Sequence, residues 1–299
     1  MKLMYYRDAR GNFGDDLNPW LWNRLLPGFL DDRDDVLLVV IGTILNHAIP
    51  AEPIKLVFGS GVGYGDLPVI DERWRFYAVR GPLSAARLGL PPSASVTDSA
   101  ALVANAYPRR PRRSGVAFMP HHQSIPLFDW APLCRRLGIR FLDPAMPTDR
   151  LLHEIARAEV VLAEAMHAAI VADAFRVPWV ALRLNDHINE FKWEDWCASI
   201  ELPYEPVVIP PIRDNSWQRP GTRLREYLRR IRRTGSLTRH GKTAGHAEST
   251  PAEVATAMAR LDAARSPSQP RQLSTDAVIA DRIRELEERL ERIRRDWSR

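Results

Sequence analysis

The chain has 299 residues, 45% hydrophobic and 26% charged, with a formal net charge of +5. These values suit a soluble globular protein of two domains, or of one large one. No run of about 18 apolar residues occurs, so no membrane-spanning helix is expected, and the opening "MKLMYYRDARG" carries no apolar signal segment. Cys134 and Cys197 belong to no C-x-x-C pair, which argues against zinc and suits a reducing cytosol.

In chain order, the first apolar runs are "KLMYY", "DVLLVVIG", "IKLVFGSG" and "RFYAVRG". Each ends in glycine or a polar turn, as buried parallel strands do before they feed helices. "PLSAARLGL" predicts a short helix, and "SVTDSAALVANAY" a strand end, a loop and a helix. "YPRRPRRSG", residues 107–115, reads as an interdomain linker. The rhythm then restarts with the strand "GVAFMPHH", the helix "DWAPLCRRLG" and the strand "IRFLDP". "TDRLLHEIARA" predicts a helix capped by Thr148 or Asp149, and "EVVLAEAMHAAIVADAFRVPWVAL" a strand, turn, helix and strand. Two successive α/β units predict two Rossmann-like domains, 1–108 and 114–212, facing each other across a cleft. That is the general plan of GT-B transferases.

The character changes after residue 212. Residues 219–233 hold seven arginines, with Leu224, Tyr227, Leu228 and Ile231 at helical spacing. The resulting basic face suits an anionic membrane surface, and equally a solvated or domain-packing helix. Nucleic acid is not an expected partner, because no recognised binding fold or aromatic platform accompanies the charge. Residues 234–250 read as a flexible connector. Ile279, Ile283, Leu286, Leu290, Ile293 and Trp297 follow one another at steps of 4, 3, 4, 3 and 4. That is a short a/d seam, expected to give weak self-association through 279–297 or to pack on a helix at 251–265. Residues 213–299 are thus expected to form a basic helical extension.

Chemistry concentrates at the strand-to-helix turns. In "RGNFGDDLNPWLW", Gly11, Asn12 and Gly14 allow a tight turn, and Asp15 and Asp16 stand together at a helix start. One aspartate is expected to be the helix N-cap; the other can face the cleft as a general base on a hydroxyl. Paired carboxylates suit a neutral polyol better than a phosphate. "GSGVGYG" is glycine-rich but lacks the P-loop lysine. Arg80 ends a strand where a guanidinium suits a carboxylate or phosphate. His121 and His122 follow the first strand of the second unit. Glu164 and His167 flank a turn that opens a helix of small residues, where a ligand can approach the helix N-terminus. No H-E-x-x-H or cysteine cluster accompanies them, so no metal site is expected. Lys192 lies among Phe191, Trp193 and Trp196, aromatics suited either to the core or to stacking on a sugar.

Taken in order, "NFGDDLNPWLW", "IGTIL", "VFGSGVGYG", "YAVRGPLSA", "VTDSAAL", "EAMHAAIVADAFRVPWV" and "FKWEDWCASI" resemble the polysaccharide pyruvyl transferase family. The likeness is to its ketal-forming branch in succinoglycan-type exopolysaccharide synthesis, and it covers roughly residues 3–212. The resemblance implies a GT-B-like fold and transfer of a pyruvyl group from phosphoenolpyruvate to two sugar hydroxyls, giving a cyclic ketal and phosphate. It implies no cofactor, an acceptor that is often a lipid-linked oligosaccharide, and a cytoplasmic protein at the inner face of the cell membrane. In the family, the histidine of an S-x-R-x-H motif belongs to the donor site. His167 matches it, with Ala163 and Ala165 in place of the serine and arginine.

Under that scheme His167 or His122 supplies the acid and Asp15 or Asp16 the base, Asp15 being the first choice. Arg80, His121, Glu164, Arg183 and Lys192 are expected around the donor. Asn12, Asp16 and Trp193 are expected around the acceptor. A GT-B glycosyltransferase using a nucleotide-sugar, and a non-catalytic basic scaffold at the membrane, are the alternative readings.

Overall fold

The computed structural model describes residues 1–107, 111–214 and 248–298. The basic helix expected at 219–233, and the connector up to residue 247, lie outside the described residues. Two all-parallel sheets organise the rest. The first is β1 (Lys2–Met4), β2 (Val36–Val39), β3 (Ile54–Ser60) and β4 (Trp74–Val79), side by side in chain order. The second comprises β5 (Val116–Met119), β6 (Arg140–Phe141), β7 (Val160–Ala163), β8 (Trp179–Arg183) and β9 (Val207–Val208), in the order β6-β5-β7-β8-β9. Leu38, Val39, Leu56, Val57, Phe58, Phe118, Val161, Leu162 and Leu182 are fully buried, as parallel strands covered on both faces require. The second sheet reverses its winding direction between β5 and β7, the place where open α/β sheets bind ligands.

The helices are α1 (Phe13–Leu25), α2 (Pro82–Arg87), α3 (Val103–Ala106), α4 (Trp130–Arg136), α5 (Thr148–Ala156), α6 (Met166–Ala174), α7 (Glu190–Ser199), α8 (Pro251–Ala264) and α9 (Asp276–Trp297). One core crosses between the two sheets. Phe13, Leu17 and Leu21 of α1 share a cluster with Leu151 and Ile155 of α5 and Met166, Ala169 and Ile170 of α6. Polar contacts fasten the same joint: Trp20 Nε1 donates to Asp149 at 2.9 Å, and Thr148 Oγ1 to the Asp16 carbonyl at 3.5 Å. Neither Thr148 nor Asp149 caps α5, whose N-cap is Pro147. Both residues are used to dock one half on the other.

The apolar seam of the last helix is satisfied within the chain. Ile279, Leu286, Leu290 and Ile293 are buried in the core that contains α1, with Ile283 and Trp297 packed against it. Tyr77 OH donates to Asp296 at 2.7 Å, and Trp297 Nε1 donates to Tyr77 OH at 3.1 Å, so α9 lies along β4. The expected self-association through 279–297 is therefore corrected: its apolar stripe covers this chain's own sheet. The expected hairpin with 251–265 is corrected too. Ala257, Leu261 and Ala264 of α8 join a different cluster, with Phe118, Leu162 and Val180 of the second sheet. No helix among the described residues is long and apolar enough to cross a membrane.

Candidate active site

The carboxyl ends of six strands surround one cavity of about 360 Å³. Tyr6 comes from beyond β1, Gly42 and Thr43 from beyond β2, and Tyr64 from beyond β3. His121 and His122 come from beyond β5, Ala165, Met166 and His167 from beyond β7, and His187 from beyond β8. Asn12 to Asp15 at the start of α1 and Lys192 of α7 complete the walls. Six residues expected at the site thus come together here: Asn12, Asp15, His121, His122, His167 and Lys192. Five do not line this cavity: Asp16, Arg80, Glu164, Arg183 and Trp193.

The turn "GNFGDD" is built around Asn12. Asn12, in extended backbone, is the N-cap of α1, so neither aspartate caps the helix. Its Nδ2 donates to Asp15 Oδ2 at 2.6 Å, holding that carboxyl at the cavity wall. Burial raises Asp15 to about 7; neighbouring Asp16 and Asp8 push the same way, against the Asn12 hydrogen bond and the Lys192 charge. A carboxyl that titrates near neutrality can take a proton from a hydroxyl and return it. Asp16, half-buried one position on, belongs to the joint with α5 rather than to the cavity wall.

Gly14 lets the two halves meet. A Cβ placed there would fall 2.0 Å from His167 Nδ1. His167 opens α6, whose first-turn amides at Met166 and His167 have no intrahelical acceptor and border the cavity. The start of α1 presents its own first turn to the same space, so two helix N-termini converge on it. His167 Nε2 stands 3.6 Å from Asp98 Oδ2.

Lys192 is the cationic side chain on the cavity wall. Burial and the nearby Arg80 charge lower it to about 8, opposed by Asp15 and Glu164. Its Nζ lies 3.4 Å from Tyr64 OH. Three of the imidazoles, His121, His122 and His187, add little positive charge. Burial pushes His122 and His187 each down to about 4, and takes His121 well below its ordinary value. His122 Nε2 faces Asp8 at 3.7 Å, while the His121 ring lies 4.3 Å from that of His122 and 5.1 Å from that of His187. Among the described residues, no three His, Cys, Asp or Glu side chains are grouped so as to hold a metal ion.

Other expected residues sit behind the wall or outside it. Arg80 is fully buried, with Nε on Asp195 at 3.0 Å, Nη1 on Thr43 Oγ1 at 2.6 Å and Nη2 on the Val62 carbonyl at 3.0 Å. Its guanidinium is committed to protein partners and supports the wall through Thr43. Glu164 is also fully buried; it accepts from the His121 amide at 2.8 Å and from Asn185 Nδ2 at 3.4 Å, and burial raises it to about 6. It braces the loop after β5. Arg183 pairs with Glu190 at 3.2 Å and lines a separate cleft of about 430 Å³ beside β9. Trp193 is a core residue, stacked on Tyr204 with ring centroids 5.4 Å apart and packed by Trp179 and Trp196.

Sequence reasoning missed Thr43, Tyr64, Asp98, His187 and Asp195. Thr43 and Tyr64 stand in the glycine turns after β2 and β3, and His187 in the polar stretch "NDHIN" after β8. Strand-end position could have found all three. Nothing in the spacing announces Asp195, which acts 115 positions away from Arg80.

A model of the family described as polysaccharide pyruvyl transferase matches residues 5–186. The succinoglycan biosynthesis protein ExoV of Rhizobium meliloti (strain 1021) is 42% identical over 219 residues, covering 70% of this chain and 68% of that protein. The family match spans the core of both sheets and contains every residue of the cavity wall except His187 and Lys192. On the strength of that span and that identity, the chain belongs to the polysaccharide pyruvyl transferase family.

Proposed function

We propose that this polysaccharide pyruvyl transferase takes its pyruvyl group from phosphoenolpyruvate and places it on two hydroxyls of a saccharide as a cyclic ketal, with release of phosphate. The setting is exopolysaccharide biosynthesis, as the name of the Rhizobium relative suggests. The observation that carries the reading is Asp15, a buried carboxyl raised to about 7 that shares one cavity with Lys192 and His167. Lys192 and the two helix N-termini receive the carboxylate and phosphate of the donor. His167 protonates the methylene carbon, and Asp15 takes the proton of the attacking hydroxyl. The first oxygen bonds to the central carbon, the C–O bond to phosphate breaks, and the second hydroxyl closes the ketal as its proton leaves with the phosphate.

The two sheets correspond to the two Rossmann-like units of a GT-B plan, 1–108 on the acceptor side and 114–212 on the donor side. The basic residues 219–233 bring the protein to the cytoplasmic face of an anionic membrane, where a lipid-linked acceptor is within reach. The test is incubation with phosphoenolpyruvate and extracted lipid-linked oligosaccharides, read by mass spectrometry and a phosphate assay. A pyruvyl ketal on the oligosaccharide with one equivalent of phosphate is expected. A nucleoside diphosphate released from a nucleotide-sugar, with no ketal, would overturn the reading.

A further inference from the structure

Asp98 forms the N-cap of a 3-10 turn at Ser99–Leu102, where its Oδ1 accepts from the Ala100 amide at 2.9 Å. Its Oδ2 is turned the other way, toward His167 Nε2 at 3.6 Å. Both atoms are buried, and neither has a hydrogen-bond partner. The gap is longer than a hydrogen bond, and a small shift of either side chain closes it. Catalytic contacts are often this loose before substrate binds. Gly14 packs over the imidazole beside Nδ1, where a Cβ would fall 2.0 Å from Nδ1, 2.6 Å from Cγ and 2.7 Å from Cε1. With Nε2 buried against Asp98, Nδ1 is the ring nitrogen left for the cavity that His167 lines.

A carboxylate only accepts, so the nitrogen that faces it must carry the proton. We propose that Asp98 is a positioning residue: it holds neutral His167 in the tautomer protonated on Nε2, so that Nδ1 is the nitrogen that exchanges protons with the reactants. The proposal rests on the reading of His167 as the acid of pyruvyl transfer. In that step the imidazolium proton passes from Nδ1 to the methylene carbon of phosphoenolpyruvate, whose π electrons form the new C–H bond. The imidazole is left neutral, with its Nε2–H on Asp98. The acceptor oxygen attacks the central carbon and gives its own proton to Asp15. The charged and titratable groups that share the cavity with His167 are Tyr6, Asp15, Tyr64, His121, His122, His187 and Lys192, with Asp98 behind its ring. Of these, Asp98 alone is set against Nε2.

The full-length protein tests this directly. Long-range proton–nitrogen NMR of the histidine rings reports each tautomer, and His167→Ala identifies the His167 signals. The wild type is expected to show Nε2–H. Asp98→Asn keeps an oxygen for the Ala100 amide and turns its NH₂ toward Nε2, which moves the ring proton to Nδ1. With phosphoenolpyruvate, that variant should lose kcat by about 100-fold or more with KM within about threefold. In a His167→Ala background, Asp98→Asn should cost nothing further. A wild-type Nδ1–H tautomer would overturn the proposal whatever the variants do, and so would equal losses in the two backgrounds. Because the tautomer needs no substrate, it is decided separately from the pyruvyl-transfer reading.

Discussion

At the scale of single residues, the proposed mechanism makes Asp15 and Lys192 set the pH window. Asp15 must be ionised to act as base, and burial places that event at about 7. Lys192 must be charged to hold an anion, and burial places the loss of its proton at about 8. The profile of kcat/KM should therefore be a narrow bell, rising through about 7 and falling through about 8. A flat profile from pH 6 to 9 would contradict both assignments. Asp15 also carries a stability consequence. Its folded value of about 7 lies above its ordinary 3.8, so the folded protein keeps a proton that the unfolded chain has lost. Stability on this account is fully present below about pH 4 and is lost as pH rises through 7, by at most on the order of 4 kcal/mol. Asp15→Asn removes the titration and should raise the melting temperature at pH 8, while lowering kcat by about 100-fold or more. A variant that is both active and no more stable would count against a buried base at this position.

At the scale of elements, Arg80 shows what a strand end alone does not reveal. Its place after β4 was legible, and so was its approach to the ligand edge. Its direction was not, because that depends on Asp195 of α7, which also accepts from the Ser84 amide at 2.8 Å and from Ser84 Oγ at 2.5 Å. This buried pair ties α7, and with it Lys192, to α2 and β4. Arg80→Met should therefore destabilise the fold by about 3–5 kcal/mol, since Asp195 is left as an unpaired buried charge. Denaturant melts check this; a loss confined to donor KM at unchanged stability would return Arg80 to the binding site. The strands were legible for a plain reason: apolar runs ending in glycine turns are what two-sided burial requires. Asp15 and His167 were legible because they stand at strand-to-helix turns. The capping of α1 was misread because Asn12 and both aspartates are all competent N-caps, and only the backbone angles choose among them. The seam of α9 was ambiguous because periods of 3.5 and 3.6 barely diverge over fewer than three heptads.

At the scale of the whole molecule, the cavity belongs to neither sheet alone. Asp15 comes from the first half and His167 and Lys192 from the second, while α1, α5 and α6 share one core behind them. Gly14 against His167 is one close approach between the halves, and α9 returns along the chain to cover β4. On the proposed mechanism, catalysis thus depends on how the halves are held as much as on which residues line them. In that mechanism, the acid and base act on phosphoenolpyruvate within this cavity. The most direct measurement of this is the reaction run in deuterium oxide with ¹³C-labelled phosphoenolpyruvate and a saccharide acceptor, followed by carbon NMR. Protonation of the methylene carbon predicts a ketal carbon bonded to a methyl group that bears one deuterium. It also predicts loss of that signal in His167→Ala and Asp15→Asn. An intact methylene in the product, or the same ketal yield from the two variants as from the wild type, would contradict it.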